Sequence, residues 1–396
     1  MVIDTTVAVD NEPRALLLSS EFPPGPGGIG QHAFQLARHL TRLGWRLHVL
    51  TPQPYVAAAE RDVFNGQQPF AITPLPDRGA GGGWMAARMR LIDDTARAWR
   101  PSLLIATGQR ALLTAAAFSA FHHVPWAAVG HGSEFLSRST LSRAMTRRAL
   151  ESAATVIAVS EYTAGLIRAA ARPRRLTVIP NAADDERFRP GLAADELRAR
   201  WGVGAGPVVL TVGQVSERKA QDVIIHALPH ILVERPDATY VMAGLPTLKE
   251  PLSALAAELG VAAHVRFAGM VSDEELPLTY NLADVFALVS RRTAGGDVEG
   301  YGIVVQEAAL CGVPAVVSRD CGLTEAIREG ETGLSVPPDD PQATAAAVLA
   351  LLNDEPRRRE MGRRARELAL AATWSGRITE YDRALRAVLP RPEVSR

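Results

Sequence analysis

Lysine is almost absent from this chain of 396 residues: Lys219 and Lys249 are the only two, and arginine supplies every other cationic side chain. A lysine inside a motif is therefore distinctive. Cysteine is equally scarce, with Cys311 and Cys321 alone. Two cysteines without metal-ligating company are too few for a disulfide framework or a zinc module. The sequence excludes both classes and predicts a reducing, cytoplasmic location.

Long apolar runs are missing as well. The first 14 residues include Asp4, Asp10 and Glu12 and lack a basic segment followed by an apolar one, so we predict no signal peptide. The most apolar long stretch, residues 111–130, is interrupted by two histidines and a proline. We predict a helix followed by a buried strand there, and not a membrane span.

Neither sign of charge is in excess over the whole chain, which has a formal net charge of zero. The halves differ, because residues 1–190 hold 21 arginines against 15 acidic residues and the remainder is acidic. A basic front half favours an anionic acceptor or a peripheral contact with the inner face of a membrane. The excess is spread too thinly to indicate binding to nucleic acid, and we predict none.

The chain is rich in short apolar runs that alternate with longer helical patterns, which is typical of βαβ units and parallel sheets. Because single cores rarely exceed about 300 residues, two domains are expected. We predict an α/β fold of two doubly wound, Rossmann-like parallel-sheet domains, residues 1–195 and 206–373. Residues 374–396 are predicted to form a C-terminal helix that packs back on the first domain. Ligands of such sheets bind beyond the carboxyl ends of the strands, so we expect a site in the cleft between the domains.

Two shorter segments carry local predictions. Residues 60–85 are rich in glycine and proline and are predicted to form a mobile loop. Residues 322–329 are predicted to form a helix that follows the strand over residues 314–318. Both predictions bear on how the domains are built.

A glycine-rich loop follows the first predicted strand. Gly25, Gly27 and Gly30 satisfy the spacing of a dinucleotide fingerprint, but the first glycine does not follow its strand closely. The next strand also ends without the acid that would bind a ribose. What remains is a helix start at which backbone N–H groups can approach an anion, and Gly28 is a candidate to face a diphosphate. The alternative is a loop whose glycines serve tight packing alone.

A second cluster lies in the second half of the chain. Arg218 and Lys219 follow the strand-like run 207–212, where two adjacent cations suit a diphosphate, although a solvated basic turn has the same composition. Further on, Glu299 and Glu307 bracket a glycine-rich helix start. Amides at the helix start near Gly302 and Ile303 can meet phosphate, and Glu307, one turn in, can accept hydrogen bonds from ribose hydroxyls. Two carboxylates around a helix start, with a lysine upstream, form a specific combination.

These motifs together resemble a known family, the large fourth family of retaining glycosyltransferases with the GT-B fold, in which two Rossmann-like domains face each other across a cleft. The resemblance covers nearly the whole chain. It is carried by residues 23–30, His131-Gly132, residues 178–181, Arg218-Lys219, the stretch from Glu299 to Glu307, residues 312–314 and residues 325–333.

The resemblance implies a role for each candidate residue. The C-terminal domain would hold a nucleoside diphosphate sugar, and the N-terminal domain the acceptor. Glu307 would bind the donor ribose, Glu299 the transferred sugar, and His131 would lie near the primary hydroxyl of that sugar. Arg218 and Lys219 would neutralise the diphosphate, which makes Lys219 a substitute for the metal ion used by other glycosyltransferases. The expected reaction retains the anomeric configuration and needs neither a metal nor another cofactor.

Donor and acceptor are less defined. The stretch 291–299 is similar to mannosyltransferases that act on phosphatidylinositol-type lipids and use GDP-mannose, so we expect GDP-mannose or a UDP-sugar as donor. The acceptor is expected to be a lipid, a glycan or a small molecule, with Glu134, Trp84 and Arg138 as candidate acceptor-side residues. One departure is Gln214, where many family members have arginine; Arg218 or Arg291 would have to replace that cation.

Three other functions stay open on the sequence alone. A nucleotide-sugar epimerase of the same two-domain plan would use a similar cleft and release product without an acceptor. A dinucleotide-dependent oxidoreductase would respond to NAD(P)H. A non-catalytic nucleotide-sugar binder would bind the donor and neither transfer nor hydrolyse it.

Overall fold

Parallel strands in two sheets organise the part of the chain that the computed structural model describes, residues 12–76, 83–136 and 139–390. The strands of the first sheet are β1 (Arg14–Ser19), β2 (Arg46–Thr51), β3 (Ala71–Pro74), β4 (Leu103–Thr107), β5 (Trp126–Gly130), β6 (Thr155–Ala158) and β7 (Leu176–Val178). Their order in the sheet is β3-β2-β1-β4-β5-β6-β7.

The second sheet repeats this plan. Its strands are β8 (Val208–Val212), β9 (Thr239–Ala243), β10 (Val265–Gly269), β11 (Val285–Leu288), β12 (Ala315–Ser318) and β13 (Gly333–Val336). Their order is β10-β9-β8-β11-β12-β13, again parallel throughout the described residues. Central strands such as β4, β8 and β9 are buried at every position, which explains their uninterrupted apolar character, because helices cover both faces of a parallel sheet. The predicted α/β class and the two doubly wound sheets are confirmed.

Helices connect the strands. Those of the first half are α1 (Gly28–Arg42), α2 (Ala58–Gly66), α3 (Trp84–Trp99), α4 (Gln109–His122), α5 (Thr140–Ser152) and α6 (Glu161–Ala170). Those of the second half are α7 (Asp195–Arg200), α8 (Gln221–Glu234), α9 (Lys249–Glu258), α10 (Leu276–Asn281), α11 (Ile303–Leu310), α12 (Pro341–Leu352), α13 (Glu355–Leu370) and α14 (Trp374–Arg386). Within the described residues, none of these helices combines the length and the apolar character needed to cross a bilayer.

The last helix lies against the first domain. Tyr381 of α14 is buried, and its hydroxyl lies 2.8 Å from Nε2 of His32 in α1. Trp45, which precedes β2, donates from Nε1 to Asp382 of α14 at 2.7 Å. Trp374 is also buried and packs 5.2 Å from the His32 ring. These contacts give α14 an apolar and a polar attachment to α1, whereas the domain boundaries drawn from the sequence stay predictions.

The strand order determines where a site can form. In the first sheet the chain moves outward from β1 to β3 and then returns to the other side of β1 with β4, so the loops after β1 and β4 diverge. The second sheet has the same switch between β8 and β11. Such switch points create a crevice beyond the carboxyl ends of the strands. The glycine loop follows β1, Lys219 follows β8 and Glu299 follows β11, so candidate residues from both domains flank these crevices.

Two local predictions were wrong. Residues 60–85 are not one loop, because they contain the end of α2, strand β3 and the start of α3, while residues 77–82 lie outside the described residues. Residues 322–329 do not form an α-helix: a five-residue 3-10 turn, Gly322–Ala326, stands there. A Cβ on Gly322 would lie 1.9 Å from the backbone oxygen of Gly300, so this turn is shaped by close backbone packing and not by helical periodicity.

Candidate active site

Arg218 and Lys219 lie where the chain leaves β8 and turns toward α8. A short 3-10 turn, Glu217–Lys219, presents both cations at the switch point of the second sheet. Both reach the same carboxylate, since Glu299 Oε2 lies 2.5 Å from Lys219 Nζ and 2.5 Å from Arg218 Nη1. The structure therefore brings together three residues that the sequence singles out.

Burial and charge compete in this cluster. Lys219 is only 8% exposed, and burial lowers its pKa while the nearby Glu299 carboxylate partly restores it. Burial alone would raise the pKa of Glu299, but Arg218 and Lys219 hold it at about 2. A second carboxylate, Asp297, lies 3.1 Å from Arg218 Nε. Two acids thus balance two cations in this cluster.

The loop that carries Glu299 packs onto the His131 turn of the first domain. Gly300 has no room for a side chain, because a Cβ there would lie 1.6 Å from the backbone oxygen of His131 and 3.2 Å from Thr163 Oγ1. In the same turn, Ser133 Oγ donates to the backbone oxygen of Val298 at 3.1 Å. The contact between the domains therefore requires glycine at position 300, and it places His131 beside the Glu299–Gly300 peptide.

His131 itself is held from several directions. Its Nε2 lies 2.7 Å from Thr107 Oγ1 at the carboxyl end of β4, and its ring packs edge-on against His32 with centroids 5.0 Å apart. Its backbone N–H donates to the buried carboxylate of Glu134 at 2.7 Å. Burial lowers the pKa of His131 to about 4, so the ring is neutral at neutral pH. A neutral imidazole in a fixed orientation is suited to a hydrogen bond with a sugar hydroxyl.

The first glycine loop meets the start of α11. A Cβ on Gly28 would approach Ile303 Cγ2 at 4.0 Å, so two candidate donor-binding residues from different domains are neighbours. Gly27, with φ 142°, has a further reason to be glycine, because a Cβ there would lie 2.0 Å from the Glu21 carboxylate. That carboxylate accepts a hydrogen bond from the backbone of Gly30 in the first turn of α1. The first turn of α1 therefore already has a carboxylate partner within the chain.

The start of α11 differs from that of α1. Gly302 precedes the helix in the left-handed region with φ 79° and offers no side-chain cap, so the first backbone N–H groups, beginning at Ile303, depend on other partners. Phosphate oxygens are suitable partners for such groups. Among the two glycine-flanked helix starts, α11 is therefore the better placed to meet a diphosphate.

Glu307 lies one turn further along α11 and is 7% exposed. Tyr280 of α10 donates its hydroxyl to Glu307 Oε2 at 2.6 Å and packs edge-on against Phe188 with ring centroids 5.6 Å apart. Burial raises the pKa of Glu307, and the hydrogen bond from Tyr280 offsets part of that rise. With Oε2 engaged, Oε1 is the oxygen that suits a further hydroxyl donor.

Comparison with known proteins identifies the family. Two family models match the chain, Glycosyltransferase Family 4 over residues 26–187 and Glycosyl transferases group 1 over residues 194–368. The GDP-mannose-dependent alpha-(1-6)-phosphatidylinositol monomannoside mannosyltransferase of Mycobacterium tuberculosis is 34% identical over 378 residues, which cover 91% of this chain and 94% of that relative. The chain belongs to the group 1 glycosyltransferase family. The protein of the same name from Mycolicibacterium smegmatis is 35% identical over 375 residues, 90% of this chain and 93% of the relative.

Solved structures of other glycosyltransferases share the fold. Anabaena HepE in complex with UDP and glucose matches with a TM-score of 0.81 at 22% identity, over 95% of this chain and 100% of HepE. WaaG, a glycosyltransferase involved in lipopolysaccharide biosynthesis, matches with a TM-score of 0.71 at 17% identity, over 94% of this chain and 99% of WaaG. The GT-B prediction is thereby confirmed. The family match and the two mannosyltransferase relatives confirm the enzyme class: the chain is a glycosyltransferase that uses a nucleotide sugar.

This glycosyltransferase has Gln214 where the resemblance leads us to expect arginine. Of the two replacement cations that the sequence offers, Arg291 is engaged elsewhere, because it pairs with Asp222 at 2.6 Å and with Asp339 at 2.5 Å. Arg218 shares the Glu299 carboxylate with Lys219. The position of Arg218 therefore makes it the better candidate to replace the missing arginine.

Aspartates are adjacent in the sequence at 93–94, 184–185 and 339–340, and one member of each pair forms an ion pair with arginine. Asp93 pairs with Arg97 at 2.9 Å and Asp184 with Arg38 at 3.0 Å, and Asp339 pairs as described above. Over residues 12–76, 83–136 and 139–390, no group of three or more histidine, cysteine, aspartate or glutamate side chains is arranged to hold a metal ion.

The acceptor side of the enzyme is the least defined by its sequence. Glu134 is 7% exposed, and its carboxylate accepts backbone hydrogen bonds from His131 and Gly132, so it supports the His131 turn. Trp84 begins α3, and Arg138 lies outside the described residues.

Two residues that orient candidate site residues were not singled out by the sequence motifs. Thr107, which holds His131, could have been found, because it is a polar residue at the carboxyl end of a strand beside the switch point. Tyr280, which donates to Glu307, could not have been found from the sequence in this way, because its role depends on how α10 packs against α11.

Proposed function

We propose that this glycosyltransferase transfers mannose from GDP-mannose to a phosphatidylinositol mannoside or a similar glycolipid, with retention of configuration and without a metal ion. The observation that carries the proposal is the cluster that Lys219 and Arg218, which follow β8, form with Glu299 in the loop before α11, opposite His131. The choice of mannose and of a lipid acceptor is supported by the two mannosyltransferase relatives. They are 34% and 35% identical to this chain over 91% and 90% of its length.

The reaction breaks the bond between the anomeric carbon and the diphosphate, so negative charge grows on the leaving group. In our proposal the diphosphate displaces Glu299 from Lys219 and Arg218, which then neutralise that charge together with the amides at the start of α11. The released Glu299 carboxylate turns to hydroxyls of the mannose. Because Thr107 engages Nε2 of His131, we assign the contact with the primary hydroxyl of mannose to Nδ1. The acceptor hydroxyl attacks from the face that the diphosphate leaves, and a phosphate oxygen takes its proton.

Thermal unfolding tests how the enzyme binds the nucleotide part of the donor. Saturating GDP-mannose is expected to raise Tm, because a ligand that binds only the folded state stabilises it by about 2.7 kcal/mol at a hundred times Kd. In our assignment Glu307 binds the ribose through Oε1, so Glu307→Ala should lose most of this increase.

GDP without the sugar provides the matched control. It carries the same ribose and diphosphate, so it should raise the Tm of the wild type, and Glu307→Ala should lose most of that increase as well. UDP-glucose and ADP-glucose in parallel test the base. An unchanged Kd for GDP in Glu307→Ala would contradict the ribose assignment, and stabilisation by UDP-glucose alone would contradict the choice of donor.

A lipid acceptor requires that the enzyme reach a membrane surface, and we place this contact on α5. Leu141 and Met145 of this helix are 69% and 45% exposed, and Arg143 and Arg147 stand exposed beside them. The helix begins just beyond the His131 turn, on the acceptor side of the cleft. Exposed apolar side chains flanked by arginine suit the interface of an anionic bilayer on the cytoplasmic face.

Reversal of two charges tests this surface. Each arginine near an anionic membrane contributes about 1 kcal/mol, so the double variant Arg143→Glu/Arg147→Glu should bind phosphatidylinositol-containing vesicles at least about 30-fold more weakly in cosedimentation. The control Arg357→Glu/Arg359→Glu makes the same charge change on α13 of the other domain and should bind as the wild type does. Equal losses in both variants would show that net charge, and not α5, governs the contact.

A further inference from the structure

The start of α6, in the first domain, has hydrogen-bond partners in both domains. Ser160, which precedes the helix, accepts a hydrogen bond from the Thr163 N–H at 2.9 Å within the first domain. The N–H groups of Glu161 and Tyr162 donate to the Glu325 carboxylate of the second domain at 2.8 Å and 2.6 Å. Helix starts leave such groups without intrahelical partners, so Glu325 completes the cap of a helix in the other domain.

The same turn holds the backbone of the Glu299 loop. Ser160 Oγ donates to the backbone oxygen of Gly300 at 2.7 Å. The backbone oxygen of Glu299 accepts from the N–H of Gly322 at 2.9 Å, and Gly322 begins the 3-10 turn that carries Glu325. The Glu325 turn and the Glu299 loop are therefore joined, and both are attached to the start of α6.

We propose that Glu325 is a positioning residue for glycosyl transfer: by capping α6 across the domain boundary, it holds the cleft closed with Glu299 opposite His131. The expected change in kinetics rests on the proposed function. The capping of α6 by Glu325 rests on the hydrogen bonds alone. A carboxylate suits the site, because charge-assisted bonds to two backbone N–H groups at the positive end of a helix dipole are stronger than neutral ones. Glu325 makes these bonds across the boundary, so their loss should favour opening and leave each domain folded.

Kinetics distinguish this role from a general structural one. If donor binding requires the closed form, the apparent affinity falls with the closed fraction, while turnover of the bound complex does not change. We expect Glu325→Ala to raise the donor KM about 5-fold, equivalent to about 1 kcal/mol, with kcat and Tm unchanged. Glu325→Gln keeps one acceptor oxygen, so its donor KM should lie between those of the alanine variant and the wild type.

Glu331→Gln is the matched control, since it removes a surface carboxylate whose ion pairs with Arg328 and Arg364 lie within the second domain. It should leave the donor KM unchanged. A fall in Tm together with a fall in kcat in Glu325→Ala would mark the residue as structural and overturn its role in closure.

Hydrogen exchange provides a readout that needs no activity. The amides of the first turn of α6 should exchange faster in Glu325→Ala than in the wild type or Glu331→Gln, and small-angle scattering should show a larger radius of gyration. Unchanged exchange in Glu325→Ala would overturn the cap. Faster exchange with an unchanged donor KM would overturn the positioning role. Failure of the wild type to release GDP from GDP-mannose would instead contradict the proposed function, and the exchange result would still decide the cap.

Discussion

Replacement of Lys219 by alanine is expected to lower the turnover of the proposed mannosyl transfer at least about 100-fold, because loss of one preorganised contact to a developing negative charge costs near 2.7 to 4 kcal/mol. Lys219 is buried, and its Nζ lies 2.5 Å from Glu299, so it acts in a site with little water to screen it. Release of GDP from GDP-mannose in the presence of phosphatidylinositol mannoside measures the effect.

The Lys219→Ala variant should remain folded. Removal of one partner from a buried ion pair is usually costly, but Glu299 keeps Arg218 at 2.5 Å and is not left without a compensating charge. The chain also provides its own control: Lys249→Ala removes the other lysine, which is exposed at the start of α9, and should be fully active. Turnover near that of the wild type in Lys219→Ala would show that Arg218 and the α11 amides neutralise the leaving group without the lysine.

Local patterns predict the inner parts of this fold well, because parallel strands buried on both faces appear as short apolar runs. The strand-like runs over residues 46–51, 126–130 and 239–243 are recognisable for that reason, and they coincide with β2, β5 and β9. Prediction fails where a segment is shaped by a distant one. The 3-10 turn Gly322–Ala326 packs closely against the backbone of Gly300, and β13 and α12 have too little periodicity of their own to be recognised.

The same distinction applies to the candidate site. Lys219 and Glu299 stand in recognisable motifs, and the sheet order explains why the structure joins them. Their mutual ion pair, and the Asp297 carboxylate that completes the charge balance, depend on side-chain geometry that no spacing encodes. The catalytic and donor-binding roles of these residues stay predictions until variants are measured. The structure adds the side chains that contact each candidate residue, and each of these contacts can be removed by a separate substitution.

Gly300→Ala is expected to abolish transfer almost completely while leaving the two domains folded. The added Cβ would lie 1.6 Å from the backbone oxygen of His131, so the domains must part by more than 1 Å at this point to accommodate it. A displacement of about 1 Å between reacting groups can cost about 100-fold in rate, and we expect kcat/KM to fall at least that far. Gly300 does not adopt the left-handed conformation that favours glycine, so alanine adds a clash between domains and no backbone strain.

Gly165→Ala is the matched control, because it adds the same methyl group in α6 at a position where nothing lies within 4 Å. It should be fully active and slightly more stable, since alanine is favoured over glycine inside a helix by about 0.5 to 1 kcal/mol. GDP lacks the sugar that we assign to His131 of the first domain, so it should still raise the Tm of Gly300→Ala, because Lys219, Arg218 and Glu307 all belong to the second domain. Loss of transfer with retained GDP binding would locate the defect in the alignment of His131 with Glu299. Full activity of Gly300→Ala would mean that the productive enzyme does not use this closed contact at all.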